Sequence, residues 1–118
     1  MEATLIILSF IYTGVLSLNY ILGIIQSPPW LVFLGTVHHP QDYFYYLSQF
    51  AQGATRWFTT VDLYTPEATK PSLVGWTNVL AGRLLSGVGI PPIPGYQIAL
   101  TLFTLVFFLL VGRLLTVI

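Results

Sequence analysis

A chain of 118 residues with four basic and four acidic side chains is only 7% charged, against roughly 25% in soluble domains, and its mean hydropathy is +0.80. These values exclude an ordinary soluble globule and point to a membrane protein. The charges cancel without forming a basic run or an acidic tail, which removes nucleic acid as a partner, and the absence of cysteine removes disulfides, thiolate nucleophiles and thiolate metal sites.

The first element, residues 1 to 27, reads as a transmembrane helix. Its stretch LIILSFIYTGVLSLNYILGII, residues 5 to 25, carries no charge over 21 positions, enough at about 1.5 Å per residue to cross a hydrocarbon core of roughly 30 Å. No lysine or arginine precedes it and no small-x-small site follows, so it is expected to be a retained anchor rather than a cleaved leader. Asn19 within it is expected to hydrogen-bond a neighbouring helix. Residues 96 to 118 read as the second transmembrane helix, interrupted only by Arg113, whose long stem can reach toward headgroups.

Residues 28 to 95 hold six of the eight charges, which a hydrocarbon interior does not accept unpaired. The segment is therefore a long loop in water or at the interface. Arg113, near the end of the second span, favours cytoplasmic termini and an extracytoplasmic loop. Prolines and glycines, including the run IPPIPG at 90 to 95, leave room for two helices between them.

The first of these is expected over residues 42 to 58. At about 100° per residue, Tyr43, Phe44, Tyr46, Leu47, Phe50, Ala51, Ala54, Trp57 and Phe58 fall within about 160° of arc. Asp42, Tyr45, Ser48, Gln49, Gln52, Thr55 and Arg56 fill the other side. That division predicts a helix lying in the membrane interface with its polar face toward water. The second helix is expected over residues 71 to 86, opening at Pro71 and carrying Leu73, Trp76, Leu80 and Leu84 at helical spacing. The fold class that results is an all-α membrane protein: two transmembrane helices joined by a long extracytoplasmic loop with two interfacial amphipathic helices.

Few residues offer chemistry. Asp42, in the first turn of its helix, either stabilises the helix dipole or presents a carboxylate that can take a proton from a hydroxyl or bind a divalent cation. Glu67 and Lys70 stand in the turn YTPEATKPS, residues 64 to 72. There an anion such as phosphate would meet an ammonium and the free N–H groups of a helix opening at Pro71, or the two are simply polar turn residues. His38 and His39 are adjacent, so on an extended segment they point apart and do not share a metal ion. Arg56 and Asp62 can form only a surface ion pair. No Walker loop, GxSxG, HExxH or dinucleotide fingerprint occurs.

The order of these features, together with PQDYFYYLSQFAQG (40 to 53) and YTPEATKPSLVGWTNVLAG (64 to 82), resembles the N-terminal portion of the multi-spanning C-type (GT-C) glycosyltransferases. These use polyprenyl-phosphate sugar donors. PPWLVFLG, QDYFYYLSQFAQGA and YTPE also resemble uncharacterised bacterial polytopic membrane proteins that look like distant members of that group. By this resemblance Asp42 is the catalytic acidic residue, as base or metal ligand, and Lys70 contacts the lipid-linked phosphate. Glu67 would join the substrate or a metal, although family relatives often place the acid directly before the lysine and here Ala68 and Thr69 intervene. The resemblance further implies a possible divalent metal cofactor, a polyprenyl-phosphate donor, and a bacterial cytoplasmic membrane. Relatives have many more helices, so the chain is expected to be a piece of a larger protein whose remaining transmembrane helices complete the donor cavity. The alternatives are a small non-enzymatic two-span protein that docks on a larger membrane partner and, third, a holin-like or toxin-like hairpin.

Overall fold

The computed structural model describes residues 2–36 and 39–117. Among them are four helices: α1 (Glu2–Gln26), α2 (Pro40–Gln52), α3 (Trp76–Gly87) and α4 (Pro92–Val117). Among the described residues there is no strand, only an isolated antiparallel bridge between Thr60 and Ser72. The chain forms two compact units, one of Met1–Gly35 with Gln97–Ile118 and one of Thr36–Tyr96.

The segment Ala3–Gln26 of α1, in the first unit, and α4, which belongs to that unit from Gln97 onward, are long and apolar enough to cross a membrane. Only 11% of the most apolar stretch of each is buried, which is not how the core helix of a soluble protein behaves. Ile7, Phe10, Ile11, Phe103, Phe107 and Leu110 are each more than half exposed. Apolar surface on this scale exceeds what soluble monomers show to water, and it is consistent with a lipid bilayer around both helices.

The two long helices meet along a hydroxyl stripe. Ser9, Thr13 and Ser17 recur every four residues and so share one face of α1; Ser9 and Thr13 are each only 5% exposed. The Ser17 hydroxyl lies 3.2 Å from that of Thr101 on α4, Tyr12 meets Phe108 edge-to-face with centroids 4.6 Å apart, and a Cβ at Gly112 would sit 3.6 Å from the Leu5 Cβ. Small residues let helix backbones approach where lipid supplies no hydrophobic drive between helices. Ser17 thus makes the interhelical polar contact that the sequence suggested for Asn19, which is exposed.

The second unit is built on α2 packed against α3. Helix α2 opens two residues earlier than expected, with Pro40 in its first turn after His39 at φ 46°, and it stops at Gln52, not at 58. Two contacts stop it. A Cβ at Gly53 would strike the backbone of Val79 and Gly82, so the chain here already lies against α3. The Gln52 amide then clamps the returning chain, its Nε2 donating to the Val61 carbonyl (3.0 Å) and its Oε1 accepting the Val61 N–H (2.9 Å). Arg83 donates from Nη1 to the Ala54 carbonyl at 2.8 Å, satisfying an acceptor that a longer helix would have used internally.

Helix α3 opens at Trp76, five residues after the expected Pro71. Thr60 and Ser72 exchange both backbone hydrogen bonds at 2.9 Å, and the Thr60 hydroxyl donates to the Val74 carbonyl at 2.9 Å. These bonds hold 72–74 out of helical geometry until Gly75, at φ 74°, turns the chain, a conformation that costs glycine little. Helix α4, expected from 96, begins at Pro92. The proline run read as a stop occupies its first turn instead, where a missing N–H loses no intrahelical bond.

The core of this unit is small. Val79 is fully buried, Phe50 is 3% exposed, and Phe50 and Tyr43 both meet Tyr96 edge-to-face at 5.6 and 5.4 Å. Gln49 corrects the expectation that the polar side of α2 faces water. It is 2% exposed, its Oε1 accepts from Asn78 Nδ2 at 2.9 Å, and its amide lies against Gly75. A buried amide needs such partners, and α3 supplies them.

Candidate functional site

The loop from Thr60 to Ser72 is a closed excursion pinned at its base by the Thr60–Ser72 pair and the Gln52 clamp. Its interior is fixed by side chains that substitute for ladder bonds. The Asp62 N–H donates to Thr69 Oγ1 (3.0 Å), the Tyr64 N–H to Asp62 Oδ1 (2.9 Å), and the Glu67 N–H to Thr65 Oγ1 (3.3 Å). The last two are side-chain turns of the kind Asp and Thr favour.

Against this loop α2 presents Tyr45, Ser48 and Gln49, at i, i+3 and i+4 and hence on one face. A cleft of about 190 Å³ lies there, bordered by those three with Asp62, Thr69 and Lys70. A wider and shallower one of about 590 Å³ adjoins it, bordered by Gln41, Asp42, Phe44, Tyr45, Asp62 and Tyr64. Tyr45 and Asp62 border both. The rings of Tyr45 and Tyr64 sit 6.3 Å apart, so this surface offers apolar ring faces with hydroxyl tips beside two carboxylates and one ammonium.

Asp42 is in the first turn of α2, as expected, and is exposed. Lys70 is exposed at the rim of the smaller cleft. The two therefore border adjoining clefts that share walls, although the sequence places them on different elements. Glu67 does not join them: it is exposed and borders neither cleft. The anion site expected at a helix opening on Pro71 is also corrected, because α3 starts at Trp76 and its N-terminal N–H groups are not next to Lys70 in the chain. Lys70 shares its cleft with Ser48, Thr60, Thr69 and Ser72, of which Ser48 donates to the Tyr45 carbonyl and Thr69 accepts from the Asp62 N–H.

Among the described residues no ion pair engages Asp42, Asp62 or Lys70, and Arg56 does not pair with Asp62. No group of three or more histidine, aspartate or glutamate side chains gathers among the described residues. His38 lies outside the described residues, and His39 serves as the left-handed residue ahead of α2. Asp62, which borders both clefts, reads from the sequence only as a surface partner for Arg56; its one local signal is its place two residues before Tyr64, whose N–H it accepts. Tyr45 and Ser48 were placed only on a solvent face. No protein-family model matches the chain, and no curated protein and no solved structure matches it.

Proposed function

We propose that this chain is the N-terminal part of an integral-membrane glycosyltransferase, in a bacterial cytoplasmic membrane, that moves a sugar from a polyprenyl-phosphate donor to an acceptor on the extracytoplasmic side. The observation that carries the reading is that Asp42 and Lys70 border two separate clefts with Tyr45 and Asp62 in common, on a unit that leads directly into a bilayer-length helix.

In this reading Lys70, in the cleft it shares with Ser48 and Thr69, receives the donor phosphate, and Tyr45 and Tyr64 flank the sugar. Asp42 removes the proton of the acceptor hydroxyl, whose oxygen attacks the anomeric carbon. The bond from that carbon to the phosphate oxygen breaks, and Lys70 stabilises the charge left on the phosphate. The single displacement inverts the anomeric centre. Were a divalent cation present, as the family resemblance implies, Asp42 and Asp62, which border the same wide cleft, are the residues that would hold it, Asp42 then acting as ligand in place of base, and the cation would supply charge neutralisation for the phosphate. Further helices of the parent protein would cover part of the apolar surface that α1 and α4 leave exposed.

The test is donor binding by the complete parent protein, reconstituted in vesicles with a photoreactive polyprenyl phosphate. Losing a charged hydrogen bond to phosphate is worth about 1.5–3 kcal/mol, so Lys70→Ala should weaken labelling by roughly 10- to 100-fold. Lys70→Arg should retain most of it. Equal labelling of Lys70→Ala and the unchanged chain would refute the phosphate role.

A further inference from the structure

The apolar arc read from the sequence put the lipid-facing surface of the loop on α2, but α2 spends much of that arc internally, on Phe50 and on Tyr43 against Tyr96. Tyr46 on α2 and Tyr64 in the loop are also exposed, at 47% and 61%, but the exposed tryptophans and phenylalanine of the second unit cluster elsewhere. Trp57, Phe58 and Trp76 are 55%, 46% and 47% exposed, with Leu73 and Leu84 at 65% and 61%. They form a ladder, Trp57 to Phe58 at 6.3 Å and Phe58 to Trp76 at 6.5 Å, running from the segment after α2 onto the start of α3. Arg83 is fixed beside it. Its guanidinium carbon lies 4.9 Å from the Trp57 ring centroid, one Nη is tied to Ala54, and no carboxylate neutralises it among the described residues.

We propose that this Trp57–Phe58–Trp76 face lies in the headgroup layer of the bilayer, with the remaining donors of Arg83 turned to a lipid phosphate. Indole rings concentrate at that depth because they pair an apolar body with an N–H, and arginine is suited to phosphate through its planar fork of donors. Continuity names the occupant. The unit ends with Pro92–Tyr96, and those residues are the first turn of α4, whose length and composition suit a membrane crossing. The second unit is therefore joined through its own last residues to that helix. The inference rests on the membrane reading of α1 and α4 and not on sugar transfer.

The full chain has three tryptophans, so Trp30→Phe with Trp76→Phe leaves Trp57 alone, and Trp30→Phe with Trp57→Phe leaves Trp76. In vesicles of phosphatidylcholine and phosphatidylglycerol, lipids brominated high on the acyl chain should quench both strongly, those brominated near the chain end weakly, and aqueous iodide little. Arg83→Gln should reduce the preference for vesicles rich in phosphatidylglycerol. Quenching by iodide as efficient as for free indole would overturn the proposal by placing the face in water; indifference to both quenchers would overturn it by placing a protein partner there. Alkaline extraction of the same vesicles separates the two levels. A chain that stays with the lipid but escapes bromine quenching loses only this face, whereas a chain that is extracted loses the membrane reading as well.

Discussion

Asp42→Asn is expected to cut sugar transfer by about 10²- to 10⁴-fold, the usual contribution of a positioned general base, in membranes that carry the complete parent protein. The substitution keeps the size of the side chain and its place in the first turn of α2. It removes the proton acceptor and a favourable charge near the helix N-terminus, the latter worth about 0.3–1 kcal/mol at an exposed site. Because Asp42 is exposed and unpaired among the described residues, abundance and membrane insertion should not change. The loss should appear in kcat, with KM for the donor little altered, since an interaction made in the transition state is being removed. Glu67→Gln is the contrasting variant: it borders neither cleft and should transfer sugar at the normal rate. Normal turnover by Asp42→Asn would end the catalytic assignment.

Gly82→Val is expected to disrupt the second unit. A Cβ at Gly82 would strike the Phe50 carbonyl, and the reciprocal contact, Gly53 on the backbone of Val79 and Gly82, shows that α2 and α3 touch backbone to backbone. Extra atoms in a packed contact cost about 1–3 kcal/mol when side chains can shift; here the obstacle is a main chain and the helices must separate. That separation would also break the Gln49–Asn78 bond and the Arg83–Ala54 bond, leaving a buried amide unsatisfied at about 1–3 kcal/mol more. In a unit whose core is this small, those amounts are comparable with its whole stability. Hydrogen exchange over residues 40–52 and 76–87 should rise toward the unfolded rate. Gly87→Ala, with nothing within 4 Å of the new Cβ, should leave exchange unchanged or slightly slower. Equal protection in the two variants would mean that α2 and α3 do not depend on this crossing.

What was legible in the sequence followed from periodicity and length. The two long helices lie close to their apolar runs, and the two shorter ones lie between the expected stops. Their ends did not follow, because each is set by a partner distant in sequence. Gln52 stops α2 by clamping Val61, and Thr60 delays α3 by pairing with Ser72. Projecting one helix at a time sorted Gln49 with the solvent-facing residues for the same reason: a polar side chain satisfied by Asn78 looks like one satisfied by water. Asp42 was visible because its position in a first turn is a local property. The cleft was not, since Asp62 and Tyr45 become neighbours only when the 60–72 excursion closes. Lys70 stands out in the sequence on the expectation of a helix opening at Pro71, which the structure corrects, and what it borders is a side-chain cleft.

The most direct test of the central architecture, a folded loop unit held outside the membrane between two crossings, uses the absence of native cysteine. Single substitutions Val15→Cys, Ala68→Cys and Val106→Cys would be treated in intact cells with a membrane-impermeant maleimide. All three positions are exposed, Val15 and Val106 at 55% and 50%, so only lipid or another chain would shield the two valines. Rapid labelling at 68, with none at 15 or 106 until the membrane is dissolved in detergent, is the expected result. Labelling at 15 and 106 as fast as at 68, or at 68 only after the cells are broken, would contradict it.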